Sequence, residues 1–334
     1  MKTKILYRLA IAAAVTGTLF VACKKSSATA DDGTSSSDLQ VQSDDQTRVS
    51  NETDAVEDDA NAAMGSESSV SGASAQTVAY GEGRTVEGAQ GVNTAAVCDA
   101  AITVDSSSDP RTITLTYNGS ASCNATRTRT GVVVISIPAN VRWRDTGAVI
   151  TVKFVSLKIT SLIDGKSITV NGTHTYTNVS GGSLLALYEG QVKSITHTIT
   201  SSNMSITFDN NAQRTWNVAR QRVFVYANQN VTITTTGLHS DGTNSGISEW
   251  GINRFGNTFE TVIATNNPLV IQSGCYWRVT SGQVSVIRPD VTTSVTFGLD
   301  ASGNPADCPG STGTYYFKLV WEGVNKTYTF TLPY

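Results

Sequence analysis

The chain has 334 residues, with 24 Lys and Arg against 27 Asp and Glu. Seven prolines and an aperiodic glycine pattern exclude a collagen-like chain, and the length allows one large β domain or two small ones. The charge is uneven: residues 26–79 hold eleven acids and one base, Arg48, while residues 80–334 hold 18 bases and 16 acids. An excess that small does not suggest nucleic acid.

Lys2, Lys4 and Arg8 precede a short apolar run, Leu9–Val21. The run is too short for an ordinary membrane-spanning helix and has the layout of an export signal, residues 1–22. It ends in Leu19-Phe20-Val21-Ala22-Cys23, which resembles a bacterial lipobox, with Phe20 as a departure from the usual small aliphatic residue. Cys23 is therefore the expected lipidation site, and its acyl chains would make a stable membrane anchor. Lys24 rather than an aspartate follows, as in lipoproteins sorted to the outer membrane.

Residues 23–79 read as a tether. Ser26–Ser37 and Ser66–Ala75 are Ser, Gly and Ala tracts, flexible by composition. Between them, Thr47–Met64 could form a short helix with Val49, Val56, Ala60 and Met64 on one side. Its acidic density favours a solvated spacer instead. A spacer of this kind is expected to be dispensable for stability.

Residues 80–334 read as a single all-β domain. Four cysteines remain in it, Cys98, Cys123, Cys275 and Cys308, and an even set in an exported chain points to disulfides. Three pairings are possible, of which the local ones, 98–123 and 275–308, are simplest. Thr112–Tyr117 is a strand ending at the turn Asn118-Gly119. In Val149–Thr160 the apolar phase shifts from Ile150, Val152 and Phe154 to Val155, Leu157 and Ile159, which fits a bulge or burial on both faces. Asp164-Gly165 is a hairpin turn. In Ile168–Val179 the residues Ile168, Val170, Gly172, His174 and Tyr176 alternate with threonines and Asn171, so one face is dry and the other wet.

Further runs follow at Lys193–Ile199, Met204–Phe208, Arg214–Val218, Val223–Tyr226, Val231–Thr236, Thr258–Ala264, Tyr276–Ile287, Thr292–Phe297, Thr314–Trp321 and Tyr328–Leu332. That makes about fifteen strands and no helix after residue 80. Consecutive hairpins favour a large antiparallel meander, built as a curled sheet, a sandwich or an open barrel.

Candidate chemistry is sparse. His174 and His197 share the apolar phase and could approach one another, but no third ligand is placed beside them, so half-buried structural histidines are expected. His239 falls in a polar loop. Asp300, Ser302, Asn304 and Asp307 have calcium-like composition without an EF-hand pattern, and a polar turn beside Cys308 is the better reading. No Gly-x-Ser-x-Gly or His-Glu-x-x-His motif is present. Asp145, Glu189, Glu249 and Glu260 are the acids that a glycan-active enzyme would have to bring together. Ser245–Gly256 does not alternate and is glycine-rich, so Trp250, Arg254 and Phe255 form a candidate binding loop. An aromatic there could stack on a sugar or a partner, or cap the core. Trp277 and Trp321 lie in alternating runs and read as core.

Residues of about 95–334 resemble a family of uncharacterised β-rich lipoproteins of Bacteroidota. The resemblance rests on Cys123 followed by Arg127-Thr-Arg-Thr-Gly131, on Arg142-Trp-Arg-Asp-Thr-Gly147 ahead of Val149, and on Arg214-Thr-Trp216. Asn253-Arg-Phe-Gly-Asn-Thr-Phe259, Cys275-Tyr-Trp-Arg-Val-Thr-Ser-Gly282 and Lys326-Thr-Tyr-Thr-Phe-Thr-Leu332 complete it. Leu299–Pro309 departs, being longer and richer in proline. The resemblance implies the β fold and the anchor and supplies no catalytic residue.

The expected function is a non-catalytic binding or envelope-structural role at the outer membrane. Its partners would be the membrane, through the lipid, and a glycan or envelope protein. No cofactor, metal or nucleic acid is implied. A hydrophobic-ligand carrier needs an apolar concavity on the curved sheet, and a glycan-active enzyme needs two carboxylates in one cleft.

Overall fold

The computed structural model describes residues 97–120, 127–162, 164–276, 278–310 and 313–334, together with helical residues at 41, 45, 48–50, 52–57, 59–60 and 63–64. The proposed lipidation site Cys23, and Cys123 and Trp277, lie outside the described residues.

The domain is all-β, as expected, and is built on one antiparallel sheet of sixteen strands. Seven strands follow one another in sequence and in space: β1 (Ala100–Asp105), β2 (Arg111–Asn118), β3 (Arg127–Ile137), β4 (Ala148–Ser161), β5 (Ser167–Asn178), β6 (Ser194–Phe208) and β7 (Gln213–Ala227). The C-terminal half of β7 pairs with β8 (Asn230–Gly237), and its N-terminal half pairs with β10 (Ser245–Ile252). β8 and β10 thus fill successive halves of one strand position, interrupted by β9 (His239–Ser240). In the same way β11 (Thr258–Val262) and β12 (Leu269–Gln272) pair with the two halves of β13 (Arg278–Ile287). β14 (Val291–Leu299), β15 (Tyr316–Gly323) and β16 (Thr327–Pro333) finish the meander.

Alternation sets which face is dry. On β4, Ile150, Val152, Phe154, Leu157 and Ile159 are buried while Thr151, Lys153 and Val155 face outward. The phase change at this point is a bulge between Phe154 and Leu157, with Ser156 at φ 48°. Matching register shifts lie between Thr130 and Val132, Asn171 and His174, and Ser201 and Met204. The bulges form a row across β3–β6, and a bulge bends and twists its strand. Gly131 and Gly172 sit in this row at φ 114° and 132°. A Cβ on Gly131 would lie 2.4 Å from the Ser156 carbonyl oxygen, and one on Gly172 would lie 2.5 Å from Met204 Sδ. The curl of the sheet is therefore written into specific residues.

Three expectations need correction. Met204–Phe208 and Arg214–Val218 are not separate short strands: the bulge carries β6 and β7 through as continuous fifteen-residue strands. A helix does occur after residue 80, at Leu184–Tyr188. Its amides at Ala186 and Leu187 are held by the Ser183 side chain and carbonyl, and Leu187 packs on Ile195 and Phe224.

The third correction is the largest. The acidic segment read as a solvated spacer is, at its described positions between 41 and 64, a helix packed into the concave face. Val49, Val56, Ala60, Ala63 and Met64 are buried in the main core with residues of β1–β7 and Phe259 of β11. At 100° per residue these five side chains make one stripe. Glu52 and Asp59 lie along one edge of it, and Ser50, Asp54 and Glu57 along the other.

Candidate functional site

The two acidic edges of the helix meet arginines on opposite walls of the curled sheet. On one wall, Arg127 and Arg129 are two apart on β3, so both point inward. Arg127 Nε lies 3.2 Å from Glu52, and Arg129 lies 2.7 Å from Asp59. Arg129 also holds Asp99 with two hydrogen bonds of 2.8 and 2.6 Å, and its guanidinium lies 4.4 Å over the Tyr117 ring. The Tyr117 hydroxyl donates to Asp59 at 2.9 Å. Burial, with the adjoining Asp59 carboxylate, pushes that phenol well above its ordinary range.

On the facing wall, Arg220 and Arg222 of β7 repeat the two-residue spacing. Arg222 reaches Asp54 at 2.9 Å and Glu57 at 3.1 Å. Arg220 bonds Asp54 and lies 3.4 Å from Glu57 and 3.6 Å from Glu249 of β10. Glu249 also accepts from the Ser50 hydroxyl at 2.8 Å and from the Trp216 indole at 3.2 Å. Burial pushes the Asp54 carboxyl up, but Arg220 and Arg222 outweigh it and hold it below its usual value. For Glu57 and Glu249 burial prevails and the carboxyls are raised despite their arginine neighbours.

Two further clamps fix the helix near its start. Arg254 grips Asp45 at 2.5 and 2.6 Å, reaches Asp209 at 2.9 Å, and lies 4.6 Å over the Phe208 ring. Arg48 of the helix donates to Asp164 at 2.9 Å and to the Lys166 carbonyl at 3.0 Å, both beside the Asp164-Gly165 turn. Buried ion pairs lose much of their attraction to desolvation, so their larger effect is on which helix fits and in what register. Bidentate arginine geometry sharpens that selection.

The expected site residues are dispersed. Trp250 lies on β10 rather than in a loop. The alternation there is broken by a register shift between Ile247 and Glu249, and by Gly251, whose missing Cβ lets the Thr215 carbonyl oxygen approach. Trp250 is half-buried on the face opposite Glu249 and stacks on His239, centroids 4.1 Å apart and planes at 15°. Arg254 is taken up by the helix clamp, and Phe255 is exposed at the adjoining turn.

His174 and His197 do not meet. His197 pairs opposite Asn178, four residues along β5 from His174, or about 13 Å at strand rise. His174 packs on Phe154 and Tyr176, and His197 on Trp143 and Phe224. Burial, helped by a nearby arginine in each case, lowers them to about 3 and about 4.

The four acids of the enzyme reading each have partners of their own. Asp145 caps the Arg142 amide, Glu189 accepts from Gln191, and Glu260 accepts from Asn244. Glu249 faces inward, on the opposite side of the sheet from Glu260. Asp300 accepts the amides of Ser302 and Asn304 in a closed turn. Cys275 and Cys308 are bridged, with Cα atoms 5.7 Å apart. Cys98 is disulfide-bonded as well.

The signal for the arginine-lined face was present in the sequence as Arg127-x-Arg129 and Arg220-x-Arg222, set against acids at helical spacing. Comparisons of the chain with family models, curated proteins and solved structures give no significant match.

Proposed function

We propose that the protein is a lipoprotein anchored to the outer membrane through Cys23, with a non-catalytic binding or envelope-structural role. The observation that carries this reading is the filled concave face. Glu249, the buried member of the four acids that a glycosidase would draw on, is taken up by Ser50, Trp216 and Arg220. The helix occupies the concavity that a carrier of apolar ligands would need.

One surface open to a partner is the outer face of β10 and its neighbours. Trp250 stands there between Asn217 of β7 and Glu260 of β11, with Asn244 bonded to Glu260. An indole ringed by amide and carboxylate groups suits a glycan, whose C–H face stacks while its hydroxyls hydrogen-bond. His239 covers one face of the indole, so a sugar would have to use the other.

The test is a screen of envelope glycans against the full chain bearing Cys23→Ser, made in parallel with Trp250→Ala. Binding to a subset of glycans, weakened at least about tenfold by Trp250→Ala while circular dichroism is unchanged, is the expected result (about 1.4 kcal/mol). Binding indifferent to Trp250→Ala, or no glycan bound, refutes the assignment of this face.

A further inference from the structure

We propose that one rim of the sheet, where the hairpin turns carry Leu162, Phe255 and Val324, docks on a phospholipid surface. The source of that surface rests on the lipid-anchor reading; the geometry of the rim does not.

The meander places its turns at two rims, and strand pairing fixes which turns share one. Thr160 pairs with Ser167 beside the β4–β5 turn, and Ile168 pairs with Phe208 beside the β6–β7 turn. Gly251 pairs with Trp216 and Ile252 with Thr258, which brings the β10–β11 turn to the same rim. The pairs Glu260 with Ile287 and Val291 with Gly323 add the β13–β14 and β15–β16 turns. The helix of residues 41–64 starts here as well. Asp45 is held by Arg254 of the β10–β11 turn, and Arg48 holds Asp164 of the β4–β5 turn. A lipid on Cys23 would be joined to this rim by residues 24–40.

Leu162, Phe255 and Val324 are 49%, 40% and 72% exposed. Successive turns are two strands, or about 10 Å, apart along the rim. The three apolar tips occupy alternate turns, so about 19 Å separates each from the next. Between them stand Asp209-Asn210-Asn211 and Arg288-Pro289-Asp290. That spacing selects the partner. A protein interface buries a contiguous core, and three side chains divided by polar and charged turns supply none. A fluid lipid layer can take each side chain separately while those turns stay among its headgroups. The rim of a curled sheet is an arc, so its tips can meet one flat surface together.

Next to Val324 the fold supplies an aromatic pair. Trp321 of β15 lies opposite Tyr328 of β16, with ring centroids 5.4 Å apart. Trp321, expected in the core from its alternating run, is half-buried, and Tyr328 is exposed. A Cβ on Gly323 would lie 2.6 Å from Trp321 Cη2, so the indole lies against the strand end that leads into the turn. Lys326 is exposed in that turn. An indole, a phenol and an ammonium beside an apolar tip suit the headgroup level, where one end of a side chain is wet and the other apolar. The opposite rim differs at its turns, with Arg144-Asp145, Asn228-Gln229 and Ser302 exposed. Val179 and Tyr188 are exposed in the β5–β6 connection there, and Tyr188 packs on Tyr226.

The experiment holds the Cys23→Ser chain on vesicles through a hexahistidine tag placed ahead of residue 23. The vesicles contain phosphatidylethanolamine, phosphatidylglycerol and a nickel-chelating lipid. A polarity-sensitive fluorophore is attached at Val324→Cys or, on the opposite rim, at Ser302→Cys. The expected result is a blue shift at 324 with an intensity gain of about threefold, and neither change at 302. Adding Leu162→Ser and Phe255→Ser should return the signal at 324 at least about halfway to its value in water, with circular dichroism unchanged. A water-like signal at 324, or equal shifts at 324 and 302, would overturn the proposal. A full shift at 324 in the double variant would overturn the contact through three tips. The tag supplies the tether whatever Cys23 carries, so these outcomes bear on the rim, and membrane fractionation of the native chain bears on the anchor.

Discussion

Arg220→Met probes the docked helix most directly. Arg220 is about 5% exposed and serves three carboxylates, those of Asp54, Glu57 and Glu249. In the variant, Asp54 and Glu57 keep Arg222. Glu249 keeps the Ser50 hydroxyl and the Trp216 indole but loses Arg220. Stranding one member of a buried pair costs about 3–5 kcal/mol. Here the loss is limited, because Glu249 is already raised by burial and can take up a proton instead of remaining charged. We therefore expect a loss of about 3 kcal/mol at pH 7.5, becoming smaller toward pH 5 as protonation becomes easier. In urea this moves the unfolding midpoint by about 1 M or more. Adding Glu249→Gln should restore about 1–2 kcal/mol, because it removes the stranded charge. A loss below about 1 kcal/mol at pH 7.5, or no recovery in the double variant, would refute the buried network.

Other expectations follow from the same structure. His174 and His197 titrate at about 3 and about 4 when folded, against 6.5 for the free side chain. The unfolded chain binds more protons across that window, so stability should fall as pH drops below 6.5, by up to about 1.4 kcal/mol per pH unit for each histidine. Raised Glu57 and Glu249 act in the opposite sense, holding protons in the folded state, and soften the slope. Urea titrations from pH 7.5 to 4.5 should show the decline, and His174→Gln should remove its share; an unchanged slope would mean that His174 is not buried neutral. The Cys275–Cys308 bridge spans 33 residues, so Cys275→Ala with Cys308→Ala should cost about 3–4 kcal/mol in a denaturant titration. Cys23→Ser should move the protein from detergent-requiring membranes to the soluble fraction with an unchanged melting temperature; retention on membranes would sink the lipobox reading.

Alternation made most of the sheet legible in the sequence. Ile168, Val170, His174 and Tyr176 are buried as their phase required, and Asp164-Gly165 turns where a positive φ was needed, at Gly165. The phase change after Phe154 was visible too, although its neighbours at Gly131 and Gly172 were not recognisable as one row, because register between strands is a property of pairing. The helix was offered by the sequence, but its docking escaped for a physical reason. Val49, Val56 and Ala60 make a thin stripe, and acids beside such a stripe ordinarily signal water. Here they mean guanidinium, because Arg127, Arg129, Arg220 and Arg222 stand at inward positions that alternation alone would have filled with apolar residues. Trp250 was placed in a loop, because a bulge and Gly251 hid the strand.

Docking the helix also sets the length of the mooring line. Were residues 24–96 all spacer, the lipid proposed on Cys23 would hold the domain by 73 residues, with a contour of roughly 250 Å. With the chain clamped to the sheet from about residue 41, a lipid on Cys23 would be joined to the clamped helix by the seventeen residues 24–40. They span at most about 60 Å, and an average flexible chain of that length covers about 20–25 Å. The domain would then be kept close to any leaflet that held that lipid, and releasing the helix would lengthen the line about fourfold without cutting it.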